Sequence, residues 1–326
     1  MLKIGIIGAG NIAKTFIEAV VKGNINVTLE AIASRDILKA IEYKNLYLFK
    51  KAYGSYQELY NDTEVDLIYV ATPHSFHYEQ MLEIIDHNKH IICEKPFTIN
   101  SSQAEEVFKR AKEKNLFVME ALWTRFLPTI IELREHIHGG IIGEIIKVEA
   151  NFCFKTDLDR NHRLRNPKLG GGALLDLGIY TITFANLFLG KPESIESKVI
   201  KDEETGVDID EEIVFKYKDN KSAILRSSII KDLPSVGMIY GEKGYVVVNS
   251  FHQTQSAIIY DNNGRIIKSI EHHHKVNGFE FEILSAIDSI EKGRLEDYHI
   301  KHLETLNIIK QMDDIRKSWD LIYPQE

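Results

Sequence analysis

The run Leu2-Lys3-Ile4-Gly5-Ile6-Ile7 passes directly into Gly8-Ala9-Gly10-Asn11-Ile12-Ala13. An Ile-rich apolar run of this length reads as a buried parallel strand, and the G-x-G-x-x-A behind it opens a helix expected over Ile12 to Val21. Gly8 permits a tight turn, Gly10 lets the backbone approach a pyrophosphate, and the small Ala13 lets helix and strand pack closely. Asn11 and Ile12 begin the helix, where free N–H groups and the positive dipole end meet phosphate charge. Methyltransferases and some flavoproteins start in a similar way. A strand–turn–helix beginning at residue 8 points to a nicotinamide dinucleotide.

The next strand, Val27 to Ala33, ends at Ser34-Arg35-Asp36. An NAD-selective site usually carries Asp or Glu at this tip, where the carboxylate accepts from the ribose hydroxyls. Here a hydroxyl (Ser34) and a guanidinium (Arg35) stand instead, and the planar donor fork of Arg suits a 2′-phosphate. NADP is therefore the expected cofactor. Glu30 precedes the apolar end of the strand and is expected to point elsewhere. Asp36 turned inward would favour NAD.

The chain has 326 residues and a net charge of −8. That length suits two domains, and the acidic balance argues against a nucleic acid or an anionic membrane as partner. No stretch reads as a membrane span, and a first core strand starting at Leu2 leaves no room for a secretory signal. The expected location is the cytoplasm. The two cysteines, Cys93 and Cys153, lie in apolar runs and read as buried free thiols.

Strands at Asp66–Ala71, His90–Cys93 and Leu116–Met119 alternate with helices at Phe76–Asp86 and Ser101–Lys114, the last capped by Ser101. This spacing means right-handed βαβ crossovers and a parallel sheet. After residue 122 the pattern changes. Helices are expected at Pro128–His138 and Asp176–Leu189, and strands at Ile145–Phe154, Ile195–Ile200, Glu212–Tyr217, Ser222–Ser228 and Gly244–Val248. Turns at Asp219-Asn220 and Asp261–Gly264 mark hairpins. Helices at Gly278–Glu291 and His302–Asp320 finish the chain. The fold class is α/β, with a Rossmann parallel sheet over 1–122. An α+β domain with a large, mostly antiparallel open sheet follows over 123–326. Its open face needs a cover, so a homodimer is expected.

Glu94-Lys95-Pro96 ends a parallel strand, where open α/β sheets bind ligands, so Lys95 is expected to face the cofactor. Its Pro fixes the backbone leaving the sheet and is a candidate for a cis bond. Thr72-Pro73-His74-Ser75-Phe76-His77 follows another strand end, and Thr72, Pro73 and His77 are read as lining the cofactor pocket. No Cys or carboxylate nearby completes a metal site with His74 and His77, and no metal is expected. Gly170-Gly171-Gly172 leads into a helix on which Asp176 and Tyr180 are one turn apart on the same face, where they could meet Lys95 across a domain cleft. His272-His273-His274 reads as a loop or interface tract.

Gly8 to Ala13, Thr72-Pro73, Glu94-Lys95-Pro96 and Gly170 to Tyr180 together resemble the glucose-fructose oxidoreductase / inositol dehydrogenase (Gfo/Idh/MocA) family over essentially the whole chain. Glu120-Ala121-Leu122-Trp123-Thr124-Arg125-Phe126 and the Asp-Leu-Gly-Ile-Tyr ending look like its dimeric trans-dihydrodiol dehydrogenase branch. Many members carry His where this chain has Tyr180. The resemblance implies a site at the junction of the two domains. It also implies hydride transfer between nicotinamide and the hydroxyl of a sugar, polyol or dihydrodiol. Lys95, Tyr180 and Asp176 are then the catalytic candidates. Tyr180 would move the hydroxyl proton, helped by the Lys95 ammonium because a free phenol has a pKa near ~10, while Asp176 would orient Lys95 or the substrate. Lys95 as the proton donor itself stays open. Trp123 and Arg125 match positions facing nicotinamide and substrate, Glu94 joins the cofactor set, and Arg163 is a candidate to reach substrate hydroxyls. The competing expectation is a non-catalytic NADP(H)-binding regulator or scaffold.

Overall fold

The computed structural model describes residues 1–326 apart from 157, 158 and 160. The chain forms two units, one of residues 1–123 with 274–306, the other of residues 124–273 with 307–326. A single cut at 122/123 does not describe this division. The stretch from 274 returns to the first unit, because its polar groups find partners there. Asn277 Nδ2 donates to Thr15 O (2.9 Å), Val118 N to Leu295 O (3.2 Å), and Thr305 Oγ1 to the buried Glu120 (2.9 Å).

The first unit is built on β1 (Lys3–Ile7), α1 (Asn11–Gly23), β2 (Thr28–Ala33), α2 (Ile37–Tyr47), β3 (Lys51–Tyr53), α3 (Tyr56–Tyr60), β4 (Leu67–Val70), α4 (His77–Asp86), β5 (His90–Glu94), α5 (Ser101–Glu113) and β6 (Val118–Ala121). The strands form one parallel sheet in the order β3-β2-β1-β4-β5-β6. Strand β1 is central and covered on both faces, which is why Ile4, Ile6 and Ile7 are fully buried and its sequence is continuously apolar. Ala13, Phe16, Ile17 and Val20 form the buried stripe of α1, and Phe16 stacks on Tyr69 of β4 at 3.8 Å. The order reverses between β1 and β4, so the crevice beyond their C-terminal ends is the expected ligand position of such a sheet. Helix α5 is capped by Asn100, whose side chain accepts from Gln103 N, and Ser101 is its first helical residue rather than the cap.

The second unit contains α6 (Pro128–His138), β7 (Ile145–Cys153), α7 (Ile179–Leu189) and the strands β8 (Ser194–Lys201), β9 (Asp208–Lys216), β10 (Ser222–Ser228), β11 (Leu233–Gly241), β12 (Gly244–Asn249), β13 (Ser256–Asp261) and β14 (Ile266–Glu271). They form an eight-stranded sheet in the order β14-β13-β12-β11-β7-β10-β9-β8, antiparallel except for β7 beside β10. The hairpin at Asp219-Asn220 joins β9 to β10 as the turn signal predicts. Helix α7 packs on β7 and β10 with Ile179 to Ala185 all buried. Residues 167–189 are long and apolar enough to cross a membrane by length and composition, which the sequence reading did not anticipate. In this unit 78% of their most apolar window is buried as a core segment. Two further helices, α8 (Phe279–Glu291) and α9 (His302–Ser318), complete the chain, the division into units falling inside α9.

Candidate active site

The first unit carries a phosphate cradle. Gly8 has φ +93°, and a Cβ there would come within 2.7 Å of Ala71 O, so both its conformation and its neighbour require glycine. Gly10 is the N-cap of α1. Among the described residues no side chain caps the helix, its first turn holds no acidic residue, and nothing beyond the adjoining chain lies within 4 Å of where a Cβ on Gly10 would be. The leading N–H groups at Asn11 and Ile12, the open approach over Gly10 and the dipole of a 13-residue helix together fit a pyrophosphate.

The β2 tip sorts its three polar residues. Asp36 is spent as the N-cap of α2, accepting from Leu38 N at 3.0 Å and Lys39 N at 3.4 Å. Ser34 is buried and its hydroxyl accepts from Asp36 N at 3.2 Å. Arg35 is exposed, its guanidinium over the Phe76 ring at 5.7 Å from the centroid. Glu30 points away as expected, buried and ion-paired with Lys50 (2.7 Å) and Lys51 (3.4 Å). A cation and a hydroxyl therefore remain where a carboxylate would select NAD.

His77 is fully buried, with Nε2 at 2.8 Å from Thr72 O and Nδ1 at 3.0 Å from Pro96 O. Burial holds its pKa below the usual value against the pull of those carbonyls. With each ring nitrogen facing a backbone carbonyl, His77 sits between the Thr72-Pro73 turn and the Glu94–Pro96 turn, donating to one of the two carbonyls, rather than presenting a donor to a ligand. Thr72 is buried, its hydroxyl 2.5 Å from Gln80 Oε1, while Pro73 is half-buried. The Lys95-Pro96 bond is cis. Lys95 is half-exposed at the end of β5, whereas Glu94 turns into the core and accepts from the Tyr69 hydroxyl, so its side chain is not on the ligand face. Burial pushes the Glu94 carboxyl up to about 7. Beside it Glu282 of α8 is fully buried, with neither oxygen hydrogen-bonded among the described residues.

In the second unit, Arg163 forms a two-pronged ion pair with Asp176, Nη1 to Oδ1 at 2.9 Å and Nη2 to Oδ2 at 3.3 Å. The guanidinium is half-exposed and the carboxylate buried. Arg163, read as a substrate contact, is thus the partner that fixes Asp176. Asp176 lies in a π-helical turn, Leu174–Gly178, that runs into α7, where a continuous α-helix from Asp176 was expected. Such turns widen the helix and recur at functional sites. Tyr180, 7% exposed, follows on α7 with its ring edge-on to Phe152 (5.6 Å) and His252 (5.8 Å), which stack on each other at 4.0 Å. Phe152 and His252 were missed by sequence reasoning; 99 residues separate their positions in the chain, and neither sits in a motif.

Trp123 is buried in the first unit, packed on Phe279 at 4.9 Å and edge-on to His274 at 6.3 Å, so core packing accounts for most of its surface. Arg125 is buried in the second unit at 3% exposure. His272 Nε2 lies 2.6 Å from Glu132 and His273 Nε2 3.1 Å from Glu271, so these two side chains turn to different carboxylates. Among the described residues no three His, Cys, Asp or Glu side chains are grouped to hold a metal.

Comparison with known proteins identifies the family of the chain. Residues 2–122 match an oxidoreductase family with an NAD-binding Rossmann fold, and residues 130–247 match the C-terminal domain of the same family. Over 99% of both chains the sequence is 32% identical to trans-1,2-dihydrobenzene-1,2-diol dehydrogenase of Xenopus laevis. It is 29% identical to an NADP-dependent scyllo-inositol 2-dehydrogenase of Bacillus subtilis, covering 100% of this chain and 99% of that one. The fold superposes on a 3-ketoreductase of Actinomadura kijaniata, solved with NADP and TDP-benzene, with a TM-score of 0.86 over 97% of both chains at 23% identity.

Proposed function

Because the chain belongs to the Gfo/Idh/MocA oxidoreductase family, we propose that it is an NADP-dependent dehydrogenase acting on a hydroxyl of a sugar, polyol or dihydrodiol. One observation carries the cofactor choice: Asp36 is consumed in capping α2, leaving Arg35 as the charged group at the β2 tip. The dinucleotide, when bound, supplies hydride exchange at nicotinamide C4. Gly8, Gly10, Asn11 and Ile12 hold its pyrophosphate, Ser34 and Arg35 its 2′-phosphate, and Thr72, Pro73 and Lys95 border the nicotinamide end. Tyr180 takes the hydroxyl proton during oxidation and returns it during reduction. A phenolate is costly near neutral pH, and Lys95 is the cation of the proposed catalytic set. Asp176, held by Arg163, orients the reacting groups.

The relatives named above act on a dihydrodiol and an inositol, which supports a small polyhydroxylated or cyclic substrate. We further infer a homodimer in the cytoplasm. One face of the second unit's sheet keeps two cross-strand rows half-exposed, Tyr240–Tyr245–Tyr260 and Met238–Val247–Ile258. Such an apolar face calls for a second copy. Both cysteines are free and buried, which suits a reducing compartment.

The test is NADP reduction followed by nicotinamide absorbance with D-xylose, D-glucose, myo-inositol and a trans-dihydrodiol, repeated with NAD. Turnover of at least one substrate, faster with NADP, is the expected result. Tight NADPH binding without turnover of any alcohol would instead identify a cofactor-binding regulator.

A further inference from the structure

Strand β9 alternates inward-facing Ile213 and Phe215 with outward residues, and the same inward pattern runs on to Glu211 and, past an irregularity, Asp208. Two carboxyls thus occupy core positions at 3% and 0% exposure. They lie against the segment that carries Asp176 and Tyr180. Asp208 Oδ2 accepts from Leu174 N at 2.6 Å, at the start of the π-turn. A Cβ on Gly172 would fall 2.2 Å from Asp208 Oδ1, and one on Gly178 would fall 2.6 Å from Glu211 Oε1. These glycines of the Gly170–Tyr180 motif therefore have a physical cause: the carboxyls occupy the space of their side chains. The C-terminal tail closes the same place, since the buried Tyr323 hydroxyl donates to Gly171 O at 2.6 Å.

Among the described residues, Glu211 Oε1 and Oε2, Asp208 Oδ1 and the hydroxyl of Ser227, which sits directly across from Glu211 on β10, have no partner at hydrogen-bonding geometry, although Ser227 and Asp208 both lie close enough to act on the Glu211 carboxyl. Two ionised carboxylates offer each other no donor, and a buried unpaired charge is costly. One proton held by the pair supplies the missing donor. We propose that Asp208 and Glu211 form a buried carboxyl pair sharing one proton, which, with Tyr323, positions the Gly172–Tyr180 segment and so sets the geometry of Asp176 and Tyr180. The consequence for catalysis rests on the roles proposed above for Asp176 and Tyr180; the pair itself does not.

Burial and then the Asp208 charge hold Glu211 well above the usual carboxylate range, and burial raises Asp208 as well. The other titratable groups acting here are Asp210 on the same strand, Cys153 at the end of β7, and Tyr323, itself beside Arg316 and Glu326. A carboxyl raised in the folded state stabilises fully below its unfolded pKa, and that contribution is lost as pH rises towards the folded pKa.

The experiment compares wild type, Asp208→Ala, Asp208→Asn, Glu211→Gln and Tyr323→Phe by hydrogen exchange resolved to residues 170–180, and by melting temperature from pH 5 to 8. Asp208→Ala should speed exchange across 173–178 by about tenfold or more while α1 keeps its protection, and Asp208→Asn, which retains an acceptor, should restore most of it. Tyr323→Phe, the mildest change, should loosen only 170–174. Glu211→Gln should gain melting temperature over wild type progressively as pH rises. Wild-type exchange in both Asp208→Ala and Tyr323→Phe would overturn the proposal, as would a Glu211→Gln profile parallel to wild type or equal loss of protection throughout the second unit. With any substrate that turns over, Asp208→Ala should lower kcat about tenfold with the NADPH dissociation constant unchanged. If no substrate turns over, the dehydrogenase reading fails while exchange and melting still decide this one.

Discussion

The proposed choice of NADP turns on Arg35. Its neighbours are already committed, Asp36 to the α2 cap and Ser34 to Asp36 N, so its guanidinium is the charge left to meet a 2′-phosphate. Arg35→Ala should raise the NADP Michaelis constant by about tenfold or more and leave that for NAD nearly unchanged; equal effects on both would reject the assignment. Tyr180→Phe keeps the ring that packs on Phe152 and removes only the hydroxyl, so turnover should fall about 100-fold or more with little change in stability. Near-normal turnover would move the acid/base role to Lys95. Glu94 gives a pH signature. Burial raises its carboxyl from the ordinary 4.5 to about 7, against Tyr69 and Lys95, which lower it, and with Glu120, which raises it. Its contribution is complete below about pH 4.5 and disappears as pH rises through about 7, a change of about 3 kcal/mol. Chemical denaturation of Glu94→Gln against wild type across pH 5–8 should show that slope flattened.

At the level of elements, the β1–Gly8–α1 unit is the part most tightly specified. Gly8→Ala adds a Cβ 2.7 Å from Ala71 O at a left-handed φ, which costs about 1–3 kcal/mol and tilts the start of α1 away from its phosphate position. Both a lower melting temperature and weaker NADPH binding are expected, measured by calorimetry and fluorescence titration. Sequence reasoning placed β9 only in part. Asp208 and Glu211 break the apolar alternation that marks a strand, and its expected start at Glu212 falls four residues late. Strand β11 was passed over for a similar reason, since Leu233-Pro234-Ser235 opens it with exposed positions and a proline.

At the level of the molecule, the half-exposed tyrosine row is where the proposed dimer is tested. Tyr245 and Tyr260 stack at 4.9 Å, and Lys147 lies over the Tyr240 ring at 4.6 Å, so the rings of this row pack on one another and on a cation. Wild type should scatter light as a dimer. Tyr245→Glu, which buries a charge in any interface formed there, should give monomers with the melting behaviour of each unit retained. A wild-type monomer would remove the dimer from the proposal.

The sequence by itself determined the parallel sheet, the phosphate turn at Gly8 and Gly10, and the motif residues Lys95, Asp176 and Tyr180. Those signals are local: strand and helix periods, a glycine spacing and strand-end positions all lie within a dozen residues of one another. Only the tertiary structure decided that 274–306 returns to the first unit and that Arg163 belongs to Asp176. It also turned Glu94 and His77 inward and set two carboxyls beneath the glycine turn. Each of these depends on partners far apart in the chain, where a side chain's role follows from what burial brings against it rather than from its neighbours in sequence.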